Sequence, residues 1–321
     1  LFPYTTLFRS LYLSENFKER NNMKKIFVLL ILLSACMQAF SQNISANNVK
    51  VVKLDKGNVS SENLDEAGIR CYYKFVQPVT ISQKTEQKID TLTLDIGAKV
   101  SHYYDATRAR RDSIFGDFMN NKLNPATIQS ISVVKNGDMS SFDSNVGTTF
   151  ESEEKGETAH LYKKKQVGEI IIIDRSEDAP NKYKCIDKVF FQWDIKTDTL
   201  TILGYLCQKA TTTFRGRTYD AWFASDIPVN DGPWKFYGLP GLILKVNDTE
   251  NIFSFEIIGL EHLTPTVEIL LAKEDYINAS LKDLDKLKKK RSGGMAVNVN
   301  GGNVIMVRKK NNNEYISLEK E

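Results

Sequence analysis

The sequence predicts a mainly β (α+β) fold: a large curved antiparallel sheet, or open half-barrel, with one or two packed helices. Three observations lead there. Short apolar runs with period-two alternation recur from Gly68 to Leu260, Leu92, Leu94 and Ile96 being the clearest. Brief turns, many rich in Gly, Asn or Asp, separate most of them, the pattern of an antiparallel meander rather than of alternating strands and helices. Only two windows switch to a period of three to four residues. A sheet this large twists and curls.

The elements follow in order. Cys71–Val76, Asp90–Ile96 and Lys99–Tyr104 read as strands. Residues 105–122 read as a helix, with Phe115, Phe118, Met119 and Leu123 on one face and Arg108, Arg110 and Arg111 near its start. Ile128–Val134 is a strand ending at the Asn136-Gly137 turn, and residues 138–165 are a polar stretch with room for a mobile loop. The four consecutive Ile of Glu169–Asp174 suit a strand buried on both faces. Val189–Ile195 and Leu200–Cys207 read as strands joined by Lys196–Thr199. Ala210–Phe214 and Thr218–Ala224 turn at Arg215-Gly216-Arg217, and Leu242–Val246 and Phe253–Leu260 turn at residues 247–251. A second helix is predicted over Glu274–Arg291, with Ile277, Leu281 and Leu284 on one face and a basic C-terminal end that suits the helix dipole.

The resulting organisation has five parts. Residues 1–22 read as a non-native upstream segment, because Leu1–Ser10 matches the translation of a sequencing adaptor. Residues 23–41 have the form of a signal peptide: Lys24-Lys25, the apolar run Ile26–Leu33, then small residues to Ser41. The protein is therefore expected to be exported to the periplasm, the outer membrane's vicinity or the exterior. A lipobox-like Leu33-Ser34-Ala35-Cys36 offers lipidation at Cys36 as the secondary alternative. Residues 42–68 form a polar leader with room for one edge strand, 69–291 one β-rich domain, and 292–321 a flexible tail or a hairpin around Met295–Val307. No later apolar run reaches the roughly 20 residues of a membrane span.

The chain carries 43 Lys and Arg against 40 Asp and Glu, and residues 1–41 hold five of the former and two of the latter, so the remainder is balanced. That removes the electrostatic argument for a nucleic-acid partner. Cys71, Cys185 and Cys207 admit three disulfide pairings. Cys185–Cys207, flanking a strand-turn-strand pattern, is the candidate, with small buried thiols as the alternative. His102, His160 and His262 are scattered and no Cys-x-x-Cys occurs, so no metal or cofactor is expected. No catalytic residues are assigned either, since no hydrolase motif is present.

The most distinctive stretch is Asp231–Leu244, where Gly232, Pro233, Gly238, Leu239, Pro240, Gly241, Leu242 and Ile243 specify a backbone path into a buried strand. Pro240 belongs at the strand entrance because it cannot donate to a ladder. Asp231 is expected to cap the Gly232-Pro233 turn. Arg215 and Arg217 are candidates for capturing a carboxylate or phosphate, or for pairing with Asp220, Asp226 or Asp231. Trp222 and Trp234 are candidate walls of an apolar pocket, or core.

Gly204–Ala210, Phe214–Arg217, Ala221–Phe223, Ile227-Pro228 and Gly232–Ile243 occur in order, and this series resembles the GLPGLI family of the Bacteroidota. The resemblance implies an exported or envelope protein with no established activity. The expected function is therefore non-enzymatic: a binding or assembly-accessory protein whose partner is an outer-membrane or envelope protein, or a hydrophobic or peptide ligand. A secreted hydrolase with an unrecognised site is the alternative.

Overall fold

The computed structural model describes residues 42–45, 60–81, 84–122, 130–135, 148–153, 156–175, 182–289, 294–308 and 313–320. The expected signal peptide with Cys36, and the side chains expected to form the first helix's apolar face, lie outside the described residues. Eighteen strands and two α-helices are described: β1 Gln42–Ser45, β2 Ser61–Ile81, β3 Lys84–Gly97, β4 Val100–Tyr104, α1 Ala106–Lys122, β5 Ser130–Lys135, β6 Thr148–Glu153, β7 His160–Lys164, β8 Glu169–Arg175 and β9 Lys182–Lys188 come first. Then follow β10 Asp194–Ile202, β11 Tyr205–Phe214, β12 Arg217–Ala224, β13 Leu242–Asp248, β14 Ser254–Ala272, β15 Ile277–Asn278, α2 Leu281–Lys289, β16 Gly294–Asn300, β17 Asn303–Arg308 and β18 Asn313–Glu314.

The main sheet runs β10-β11-β12-β13-β14-β2-β3-β4-β7-β8-β9-β15, with β18 added to β2. It is antiparallel except where β15 joins β9, and it does not close into a barrel. This is the mainly β open sheet that the alternating runs predict. A smaller sheet, β1-β5-β17-β16-β6, contains the predicted hairpin of residues 295–307 as β16 and β17.

The main sheet is apolar on both faces over part of its width. Successive isoleucines of β8 point to opposite faces. Ile170 and Ile172 join the principal core with Leu92, Leu94 and Ile96, while Ile171 and Ile173 join a second cluster with Val100, Tyr162, Ile269 and Leu271. The sheet also curls. Asp187 on β9, near one end of the strand order, bonds Arg215 at the β11–β12 turn, near the other. The principal core fills the hollow between them.

Two expectations need correction, and two polar stretches carry more strand than their side chains announce. β2 begins at Ser61, inside the stretch read as a polar leader. Its start is polar because it pairs through backbone with β14 while many of its side chains face solvent. The polar stretch of residues 138–165 contains β6 and β7. The strand pair placed at 189–195 and 200–207 turns at the wrong residues: β10 runs through Lys196–Thr199, where a bulge in the register imitates a turn, and the hairpin turns at Leu203-Gly204. The last helix starts at Leu281, capped by Ser280, whose Oγ accepts from Asp283 N at 3.2 Å while Asp283 Oδ2 accepts from Ser280 N at 3.2 Å.

Candidate functional site

The segment between β12 and β13 carries the Gly/Pro/aromatic signature, and it enters the hollow of the curled sheet. Phe236, Tyr237 and Leu239 are buried there, and Leu242 and Ile243 are fully buried. Each such side chain contributes about 1.5–3 kcal/mol. The path is held by its own backbone: Leu242 N donates to Ile227 O at 3.0 Å and Ile243 N to Asp231 O at 2.9 Å. Tyr73 Oη donates to Ile243 O at 2.8 Å, and Trp193 Nε1 to Tyr237 O at 2.8 Å. Gly238 has φ +102°, and a Cβ on Gly241 would lie 2.2 Å from Ala224 O. Pro240 stands at the entrance to β13 with no strand partner to lose. Beside it lies a shallow cleft of about 380 Å³ lined by Pro228, Asn230, Leu239 and Pro240.

Asp231 caps the turn as expected, its Oδ1 accepting from Gly232 N at 2.8 Å. It also does something the sequence reading missed. Lys163 Nζ lies 2.5 Å from Asp231 Oδ1 and donates to Gly232 O at 2.5 Å, while Lys165 Nζ bonds Asp231 Oδ2 at 2.6 Å. The Lys163 and Asp231 side chains are both fully buried. Burial pulls the Lys163 ammonium below its usual pKa, with Asp231 opposing. Burial alone would raise Asp231, but the two lysine charges hold it below the usual carboxylate value. The available signal was the alternation of Leu161 and Lys163 on β7, which puts both on the core face.

A second charged cluster forms at the β11–β12 turn. Asp187 accepts from Arg215 through both oxygens, at 2.6 and 2.9 Å, and from Lys235 Nζ at 2.8 Å. Glu319 accepts from Arg215 Nη1 and Lys235 Nζ, both at 2.7 Å. Burial alone would raise Asp187, yet Arg215 and Lys235 hold it below the usual value. Arg217 Nη1 pairs with Glu250 at 3.1 Å and lies 3.6 Å from Asp248. The two arginines thus meet carboxylates of their own chain, but not Asp220, Asp226 or Asp231.

The two tryptophans are not brought together. Trp234 packs edge-on against Phe214 and Phe236 at the core, with Lys235 Nζ 5.2 Å from its ring. Trp222 alternates with buried Ala221 and Phe223, so it lies on the other face of β12, beneath Lys209. Cys185 and Cys207 are free, buried thiols on β9 and β11, as is Cys71 on β2, so the candidate disulfide is not formed. Burial pushes the Cys207 thiol up to about 11. The scattered histidines contain one pair after all: His102 and His160, on neighbouring strands, share a hydrogen bond of 3.0 Å between stacked Tyr104 and Tyr162. Among the described residues no group of three or more His, Cys, Asp or Glu converges on one point, and no helix is long and apolar enough to cross a membrane.

The signature is where similarity to known sequences lies. Residues 215–245 match a family described as a protein of unknown function, Porph_ging. No curated protein matches the chain. Two solved structures of PNGF-II, in P21 and C2 crystal forms, share 13% and 12% identity with TM-scores of 0.41 and 0.40. Each likeness covers 68% of this chain and 33% of the other, so the chain spans about a third of their length.

Proposed function

We propose that this is an exported, envelope-associated protein of GLPGLI type that works by binding a protein partner, with the tip of the β10–β11 hairpin as the contact. The leader-like pattern of residues 23–41 supports export, and the ordered motifs of residues 204–244 support the family. The observation that carries the reading is Leu203. It occupies the hairpin turn with φ +48°, followed by Gly204 at +84°, and it is 54% exposed. Both turn positions have positive φ, where Asn-Gly or Gly-Gly is the ordinary choice. A leucine there costs about 1–2 kcal/mol and buries little in return. Leu200 and Leu206, 39% and 62% exposed, flank it. An apolar side chain that opposes its own backbone and faces solvent is explained by a contact outside the chain.

The replacement Leu203→Asn separates the two roles. Asn suits the left-handed turn, so the variant is expected to melt at or above the native temperature. Its capture of the partner, read by photocrosslinking from residue 206 in intact cells, is expected to disappear. A variant that melts lower, or that retains the same crosslinked species, would overturn the reading. So would turnover of a substrate by the purified native chain.

A further inference from the structure

A different surface carries a second recognition element, independent of the hairpin tip. The segment Tyr315–Lys320 lies without regular structure across a groove built by β9, the β11–β12 hairpin, the signature loop and α2. Its contacts are of two kinds. Some hold main chain and read no side chain: Arg217 Nη2 donates to Ser317 O at 3.1 Å, Tyr219 Oη to Leu318 O at 2.6 Å, and Lys320 N to Arg215 O at 3.0 Å. Others read side chains: Ile316 and Leu318 pack against the principal core, and the Glu319 carboxylate lies between Arg215 and Lys235.

Receptor and occupant differ in how deeply they are built in. Lys235, Asp187 and Tyr219 are buried, while Tyr315 through Glu319 are each only partly buried. A cavity of about 70 Å³ remains beneath the segment, lined in part by Leu161, Ile172, Trp234 and Leu284. Asp187 pairs with both Arg215 and Lys235, so neither cation is stranded when Glu319 leaves. The groove therefore keeps a carboxylate seat, side-chain donors for an incoming main chain and an apolar floor without its occupant. Cationic side chains positioned by a second carboxylate are well suited to an incoming acidic side chain.

We propose that this groove is a peptide-recognition site, that Tyr315–Lys320 is its resident occupant, and that it takes in trans an extended partner segment with the apolar–small–apolar–acidic pattern of Ile316-Ser-Leu-Glu319. The resident segment competes intramolecularly, at an effective concentration on the order of millimolar. A partner must therefore bind more tightly or be held nearby.

The test uses the full chain with Leu318→Asp, which expels the resident segment, and a fluorescein-labelled peptide of residues 313–321 followed by anisotropy. Saturable binding is expected, at least about tenfold tighter than to the native chain. It should weaken at least about tenfold when the peptide carries Glu319→Lys. A variant with native circular dichroism and no saturable binding overturns the proposal. Should Leu318→Asp fail to fold, hydrogen exchange on the unaltered chain decides. The amides of Glu319 and Lys320 are expected to exchange through an opening that leaves the β11–β12 ladder protected. Exchange only together with that ladder would make the segment a fixed part of the fold and overturn the proposal.

Discussion

The two charged clusters use the same chemistry in opposite settings. Lys163, Lys165 and Asp231 are closed into the core, with Lys163 and Asp231 wholly removed from solvent. Arg215 and Glu319 lie at the rim, 21% and 14% exposed, above the buried pair of Lys235 and Asp187. The sealed cluster fixes a loop: its carboxylate caps the Gly232 turn and its ammonium holds the Gly232 carbonyl. The rim cluster holds a segment that arrives from elsewhere in the sequence. Burial thus separates a structural use of ion pairing from one that can be exchanged, because a buried charge cannot be left alone and a rim charge can be rehydrated.

The sharpest way to break that contrast is to remove one carboxylate from each cluster. Asp231→Ala strands Lys163 in the core and removes the turn cap, and it is expected to cost about 3–5 kcal/mol. A urea titration measures this, and the loss should change little between low and high salt, since a buried pair is poorly screened. Glu319→Gln leaves Arg215 and Lys235 paired with Asp187 and is expected to cost only about 1–2 kcal/mol. That smaller loss should shrink as salt rises. Equal losses, or equal salt responses, would show that the two clusters do the same work.

The legibility of these features in the sequence follows the same division. Strands buried on one or both faces announced themselves: Leu92, Leu94 and Ile96 alternate, and Ile170–Ile173 run unbroken, because burial selects side chains directly. The first part of β2 did not, since Ser61–Glu66 gains its place through backbone pairing with β14 and keeps polar side chains. The signature segment was legible as a backbone path, because Gly and Pro act locally. Its charged partners were not. Lys163 lies in a run of three lysines that looks like a solvated face, and Asp187 and Glu319 lie far from Arg215 in sequence. The arginines were recognisable as carboxylate seekers, but only the curl of the sheet decides which carboxylates they find.

The remaining expected effect concerns pH, and it determines how cleanly the two clusters can be compared in acid. Burial lowers His102 well below its ordinary value and lowers His160 to about 4. Both are therefore neutral in the folded chain at pH 7, while unfolded histidines titrate near 6.5. Between those values the unfolded chain binds more protons, so stability is fully present above pH 6.5 and falls as pH drops toward 4. Asp231 and Asp187 are shifted below 3.8, so their contributions are lost only at more acid pH. The native protein should then show a shallow decline from pH 6.5 followed by a steeper one below 3.8. His160→Gln, which keeps a neutral hydrogen-bonding side chain beside His102, is expected to make the first decline about half as steep and leave the second in place. Urea midpoints measured across pH 3 to 8 provide the check. An unchanged first decline would mean that His160 does not cause it.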